Sequence, residues 1–170
     1  MRPIELKIKG INSYREEQVI NFNQLTSQGF FGIFGPTGSG KSTILDAITL
    51  ALYAKLPRGS KNFININETS ASVSFRFSIT TTETKEYLVE RSFRYPGKDR
   101  SSTARNTTAR LSLLSDVDTE ILADKPTDVT RSCTDLLGLS SDDFLRTVVL
   151  PQGQFSDFLK LKNQERRGML

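Results

Sequence analysis

Gly35-Pro36-Thr37-Gly38-Ser39-Gly40-Lys41-Ser42 is a complete G-x-x-x-x-G-K-[ST] loop, and its flanks decide the fold. Upstream, Phe30-Phe31-Gly32-Ile33-Phe34 is a short apolar run that reads as a buried strand. Downstream, Ser42-Thr43-Ile44-Leu45-Asp46-Ala47-Ile48-Thr49-Leu50-Ala51-Leu52-Tyr53 predicts a helix with Leu45, Ile48 and Leu52 on one face. Strand, glycine-rich turn and helix in that order aim the N–H groups of the turn and of the helix N-terminus at one point. A dense anion belongs there. Gly35, Gly38 and Gly40 lack the β-carbons that would hold a phosphate away, and they tolerate positive φ. Lys41 supplies a point charge for the β- and γ-phosphates, and the Ser42 hydroxyl is the expected Mg²⁺ ligand. The loop therefore predicts a nucleoside triphosphate with Mg²⁺.

The rest of the composition narrows the classes. At 170 residues, 36% hydrophobic and 25% charged, the chain is long enough for one domain with a normal core. A net charge of +4 is compatible with a nucleic-acid partner and also with many proteins that bind none. There is no histidine, which excludes histidine zinc sites, Ser-His triads and histidine general bases from these residues. The single cysteine, Cys133, cannot form an intramolecular disulfide, and its helical setting predicts a half-buried structural thiol. Met1-Arg2-Pro3-Ile4-Glu5-Leu6-Lys7 alternates charged and apolar residues without a signal-peptide core, and no stretch approaches a membrane span. The expectation is a cytoplasmic protein with no membrane partner.

Ile4, Leu6 and Ile8 alternate with Glu5, Lys7 and Lys9, predicting a half-buried strand, followed by a turn at Gly10-Ile11-Asn12-Ser13-Tyr14 and a short strand at Val19-Ile20-Asn21-Phe22. Pro57-Arg58-Gly59-Ser60-Lys61-Asn62 reads as loop. Val73, Phe75, Phe77 and Ile79 give the cleanest strand pattern, and Tyr87, Val89, Arg91 and Phe93 form its hairpin partner. Residues 95–108 are polar and read as an exposed loop; Leu111, Leu113 and Leu114 mark a strand, with Glu120-Ile121-Leu122-Ala123 as its partner. Thr127 is a predicted N-cap for a helix ending at Leu137 with Gly138 as its C′ residue, and Ser141 for a short helix through Arg146. The closing pattern from Asn163 starts like a helix and stops without a cap, so truncation is expected.

Several segments together resemble the N-terminal ATPase segment of the SbcC family, the bacterial ABC-type double-strand-break repair ATPases that pair with a nuclease. They are the opening strand with Gly10-Ile11-Asn12-Ser13-Tyr14, the run Phe34 to Thr43 with Leu45-Asp46-Ala47-Ile48 and Ala51-Leu52-Tyr53, and Ile121-Leu122-Ala123-Asp124-Lys125. The last is Leu150-Pro151-Gln152-Gly153-Gln154-Phe155 with Phe158-Leu159. The phosphate loop alone is specific only to a superfamily; its combination with the Gln-Gly-Gln-Phe segment is far more selective. Taken as residues, Gln152 is a polar turn residue beside Pro151 and Gly153, or an amide at a strand end that ligates Mg²⁺ and contacts an attacking water or the γ-phosphate region. The resemblance assigns it the second role, that of the Q-loop. Asn12 and Ser13, otherwise an ordinary turn pair, lie where the family contacts nucleotide from its first hairpin; related repair ATPases carry Arg at the position of Asn12.

The resemblance implies an α/β fold of the ABC-ATPase type, with residues 1–170 as the N-terminal lobe of the head: a phosphate-loop core joined to an antiparallel β-subdomain, cut before the coiled coil. It implies nucleotide contact from Asn12, Ser13, Gly35, Pro36, Thr37, Gly38, Ser39, Gly40, Lys41, Ser42, Thr43 and Gln152, with Lys41 and Gln152 catalytic and Ser42 and Gln152 on the metal. ATP and Mg²⁺ are the implied cofactors. The implied partners are the C-terminal ATPase lobe, a second copy of the head in an ATP-dependent homodimer, an SbcD-type Mn²⁺ nuclease, and double-stranded DNA; the implied location is the bacterial cytoplasm, at the nucleoid. The sequence contains no Walker B Asp-Glu pair and no Leu-Ser-Gly-Gly signature, so the general base is expected elsewhere and these residues alone are expected to hydrolyse ATP hardly at all. A head segment of the SMC or RecF kind, without a nuclease partner, is the alternative. Arg91, Arg94, Lys98, Arg100, Arg105 and Arg110 form a basic cluster that reads as a solvated hairpin tip or as a phosphate-contacting segment.

Overall fold

The computed structural model describes residues 1–25, 32–56, 62–97 and 102–149. Six strands, β1 (Arg2–Lys9), β2 (Gln18–Asn21), β3 (Ser70–Thr80), β4 (Thr84–Arg94), β5 (Arg105–Leu114) and β6 (Thr119–Ala123), form one sheet in the order β2-β1-β3-β4-β5-β6. Every pairing is antiparallel. Strict alternation drives this arrangement: Ala71, Val73, Phe75 and Phe77 of β3 turn to one face while Ser72, Ser74 and Arg76 turn to the other. The register places Leu6 opposite Phe75 and Ile8 opposite Val73 on one side, and Val89 opposite Phe75 on the other. Across β1, β3, β4 and β5 this face is therefore apolar but for Arg91.

Helices α2 (Lys41–Tyr53) and α3 (Pro126–Leu137) cover that face. Ala47, Leu50 and Ala51 of α2 and Val129 and Cys133 of α3 join the strand residues in a single core. Phe75 and Phe77 stack at 5.3 Å and Phe77 stacks on Tyr87 at 5.6 Å, while Phe63 meets Phe93 edge-on at 5.2 Å. Small residues at 47 and 51 let the helix lie close on the sheet.

Several boundaries differ from those expected of the sequence, each for a local reason. Phe22 starts the short helix α1 (Phe22–Leu25) instead of ending β2, because the Asn21 carboxamide oxygen accepts the N–H groups of Asn23 (3.0 Å) and Gln24 (3.4 Å). Helix α3 begins one residue before Thr127, with Lys125 as N-cap and Pro126 in its first turn, a place where the missing N–H is harmless. Its predicted stop holds: Gly138, at φ 65°, donates its N–H to Thr134 O. Ser140, and not Ser141, caps helix α4 (Ser141–Phe144), its hydroxyl accepting the Asp143 N–H, and a π-helical turn (Leu145–Val149) follows. Strand β5 starts at Arg105, inside the stretch expected as loop, since hydrogen bonding to β4 extends it beyond its apolar residues. Cys133 is fully buried, not half-buried.

Two further differences bear on the site. The expected helix face of Leu45, Ile48 and Leu52 is not the covered one: Leu45 is 39% exposed, and Ile44, Ala47, Leu50 and Ala51 are buried with Leu52. The strand expected at Phe30–Phe34 is not formed in its described part. Gly32, Ile33 and Phe34 are irregular, no described strand flanks them, and Phe34 is 93% exposed. A strand is stable only beside a hydrogen-bonding neighbour. Phe30 and Phe31 lie outside the described residues.

Candidate functional site

The phosphate loop emerges at the N-terminus of α2, over the same face of the sheet. Gly38 and Gly40 adopt φ 85° and 89°, backbone that a side chain would strain, and Gly40 is the N-cap of α2. The turn is closed by the Ser39 N–H donating to Pro36 O at 3.2 Å, and the helix opens with the Thr43 N–H donating to Gly40 O at 3.0 Å. Residues 35–39 are exposed, so the loop backbone is accessible. The Lys41 ammonium folds back over this loop and donates to Gly35 O at 2.6 Å and Pro36 O at 2.7 Å. A cation already directed at the loop, N–H groups of a helix N-terminus and no side chains in the way fit the phosphates of a nucleotide. Ser42, in the first turn beside Lys41, is exposed as a metal ligand on that phosphate would have to be.

The turn at residues 10–14 lies against this loop, although about thirty residues separate them in sequence. Asn12 takes left-handed backbone (φ 47°), and its side-chain Nδ2 donates to Thr43 Oγ1 at 3.3 Å. A β-carbon on Gly40 would lie 2.5 Å from Ser13 Oγ and 2.8 Å from the Tyr14 ring. The glycine is required here for close approach as well as for its φ. The structure therefore brings together Asn12, Ser13, Gly35, Pro36, Thr37, Gly38, Ser39, Gly40, Lys41, Ser42 and Thr43. Gln152 lies outside the described residues; the described backbone before it is π-helical and not the strand end expected from the sequence.

Arg91 belongs by sequence to a basic cluster available to phosphate, and its placement corrects that expectation. It is 2% exposed, on the apolar face of β4 with Tyr87, Val89 and Phe93. Nε donates to Ala51 O at 2.6 Å, Nη2 to Leu52 O at 3.1 Å and Thr130 Oγ1 at 3.0 Å, and Nη1 to Pro126 O at 3.3 Å. The guanidinium thus satisfies the open carbonyl end of α2 and ties it to the first turn of α3. Burial lowers its pKa to about 10, with Cys133 acting in the opposite direction. The sequence signal for this role is its position in the alternation, where an apolar residue is due. Arg94 and Arg105 are exposed and face each other across the β4–β5 pair, and Arg110 faces Glu90. Lys98 and Arg100 lie outside the described residues. On the polar side of the sheet, a groove of about 840 Å³ runs between Lys7, Ser74, Glu90 and Arg110. Its mixed charges give no preference for an anion, whereas the glycine loop has the Lys41 ammonium folded over it.

Among the described residues no helix is long and apolar enough to cross a membrane. Residues 5–169 match the family model described as AAA domain (AAA_23). Over its whole length the chain is 52% identical to the SbcC subunit of the SbcCD nuclease of Clostridium acetobutylicum and spans 14% of it. It is 50% identical to the corresponding SbcC subunit of Bacillus subtilis, spanning 15%, and 34% identical to a probable DNA double-strand break repair Rad50 ATPase of Aquifex aeolicus, spanning 16%. A solved structure described as "Structural biochemistry of ATP-driven dimerization and DNA stimulated activation of SMC ATPases" superposes with a TM-score of 0.64 at 21% identity, covering 99% of this chain and 97% of that one. This likeness shows the fold: the α/β arrangement with its antiparallel sheet is shared with that structure.

Proposed function

We propose that this chain, which belongs to the AAA domain family, is the ATP-binding N-terminal half of an SbcC-type ATPase head that controls a DNA repair nuclease. The observation that carries the reading is the convergence of the Lys41 ammonium, the open Gly35–Gly40 backbone and the turn at 10–14 on the N-terminus of one helix. Lys41 would exchange its two loop carbonyls for phosphate oxygens, replacing neutral acceptors by charged ones. Gly38 and Gly40 admit the phosphates to the backbone N–H groups, and Asn12 and Ser13 border the nucleotide from the other side. Ser42, with Gln152, would hold Mg²⁺, which when bound neutralises charge on the phosphate oxygens. Among the described residues no cluster of three carboxylates or thiols offers a metal site independent of the nucleotide.

The chain spans about one-seventh of the SbcC relatives named above, and the remaining parts of the reading concern the longer protein. The general base and the signature loop would come from a C-terminal lobe and from a second head. ATP would bridge two heads, and their engagement would gate double-stranded DNA and an SbcD-type Mn²⁺ nuclease. Exposed Ile33 and Phe34 beside the loop agree with a sheet that such a lobe completes. Residues 1–170 alone would hydrolyse ATP hardly at all, and the assembly would work in the cytoplasm at the nucleoid.

Lys41→Ala in the full-length protein tests the site. ATP hydrolysis should fall by on the order of 10²- to 10³-fold, as for loss of a charge-stabilising donor, while the thermal midpoint stays close to that of the parent. Undiminished hydrolysis would overturn the assignment. Co-purification of an Mn²⁺-dependent nuclease with the full-length protein tests the partner, and its absence would favour an SMC- or RecF-type head.

A further inference from the structure

The turn at 10–14 is closed by its own backbone, with the Ile11 N–H donating to Tyr14 O at 3.0 Å and the Tyr14 N–H to Ile11 O at 2.8 Å, and a strap at residues 63–68 braces its Asn12 corner from outside. The Asn12 N–H donates to Phe63 O at 2.7 Å, Ile11 and Ile64 form an isolated bridge, and the Asn65 N–H donates to Gly10 O at 2.9 Å. Asn65 Nδ2 then donates to Asn12 O at 2.6 Å, while its Oδ1 accepts the Asn67 N–H at 2.9 Å. Arg15 Nε closes the far end on Glu68 at 2.8 Å. Both backbone polar groups of Asn12 are therefore engaged by the strap, and the residue is held in left-handed backbone that a non-glycine seldom adopts. From that conformation its carboxamide reaches Thr43 in the first turn of α2.

We infer that Asn65 is a positioning residue for nucleotide: it fixes the Asn12 backbone so that the Asn12 and Ser13 side chains border the phosphate loop. The inference rests on the reading that Asn12 faces the nucleotide. Asn65 acts on Asn12 through its side-chain Nδ2, which donates to the Asn12 carbonyl. Its loss should loosen the hold on the Asn12 carbonyl, while the backbone bonds of the turn stay in place and no group leaves the phosphate cradle. Affinity for ATP is then the quantity that changes, and the chemical step is not.

The test uses the full-length ATPase and steady-state hydrolysis of ATP. Asn65→Asp keeps the size and the Oδ1 acceptor but loses the donor; Asn65→Ser loses it without adding charge and serves if the aspartate variant melts early. Each should raise KM for ATP about threefold to tenfold, the effect of one positioned hydrogen bond. The value of kcat should stay within about twofold, as expected when only uniform binding is lost. Asn12→Ala should raise KM likewise, and adding Asn65→Ser to it should change little, because the two act in series. If Asn12→Ala raises KM and the Asn65 variants do not, the positioning role is overturned while the contact by Asn12 stands. If Asn12→Ala leaves KM unchanged, the contact itself fails and the inference with it. Multiplicative effects in the double variant, or a fall of kcat matching the rise of KM, would mark Asn65 as a general structural residue and also overturn the inference.

Discussion

Strand β3 and the segment at 32–34 carry similar apolar side chains and treat them oppositely. Phe75 and Phe77 are 0% exposed, whereas Phe34 is 93% exposed. Local character does not explain this, since both runs suit a strand. The difference is in their neighbours. β3 is hydrogen-bonded to β1 and β4 and roofed by α2, so its apolar face is covered by residues of the same unit. The segment before the phosphate loop has no described strand beside it. Apolar sequence creates a tendency to bury; a neighbouring surface decides whether burial happens.

The sharpest way to break this comparison is truncation in the buried region. Phe75→Ala should destabilise by about 3–5 kcal/mol in thermal or chemical melts, from lost transfer energy plus a cavity. A change below that range would mean the core relaxes far more than its stacked aromatics suggest. Next, Arg91→Met keeps bulk but removes the donors to Ala51 O, Leu52 O, Pro126 O and Thr130 Oγ1. Stability should fall by about 1–3 kcal/mol, with Arg91→Lys between it and the parent. A neutral Met variant would show that the open end of α2 does not need this clamp.

A smaller effect concerns pH. Burial pushes the Cys133 thiol up from 9.0 to about 11, with Arg91 acting in the opposite direction. A folded pKa above the unfolded one gives stability that is complete below pH 9 and lost as pH rises through the folded value, because the unfolded thiol releases its proton first. Arg91, lowered to about 10, has the opposite slope above that pH, and Tyr53, raised to about 12 mainly by burial, adds its own loss there. The clean window is therefore the unit just above pH 9. There the parent should lose about 1 kcal/mol, and Cys133→Ala should flatten the fall in denaturant titrations at successive pH values. An unchanged slope would locate the titration elsewhere. Smallest of all, Phe34→Ala should shift stability by no more than about 0.5 kcal/mol, as for an exposed side chain. A larger loss would show that residues 32–34 are covered by something this chain supplies.

The β-hairpins are legible in the sequence because alternation, turn composition and length agree over β3, β4, β5 and β6. So is the stop of α3 at Gly138, since few residues take left-handed backbone readily. The phosphate loop is legible down to its residues, because its chemistry fixes their types. Arg91 is half legible: its place in the alternation marks the inner face, but its charge draws it into the basic cluster. The covered face of α2 is not legible, because Leu45 and Ile44 are both apolar and only the sheet beneath selects between them. The strap at 63–68 leaves no trace in the sequence. Its role is a set of hydrogen bonds across more than fifty residues, and Asn65 looks like any polar loop residue.

The sequence by itself determined that a glycine-rich loop with a lysine would open a helix, and that alternating strands would pair as hairpins with an apolar and a polar face. Both follow from constraints a few residues long: positive φ, side-chain size and the period of a strand. Tertiary structure alone decided that the turn at 10–14 lies against Gly40, that Asn65 donates to Asn12, that Arg91 is a buried tie and not a surface cation, and that Phe34 is left uncovered. Each of these depends on which distant surface comes within hydrogen-bonding or van der Waals reach, a quantity that no local pattern contains.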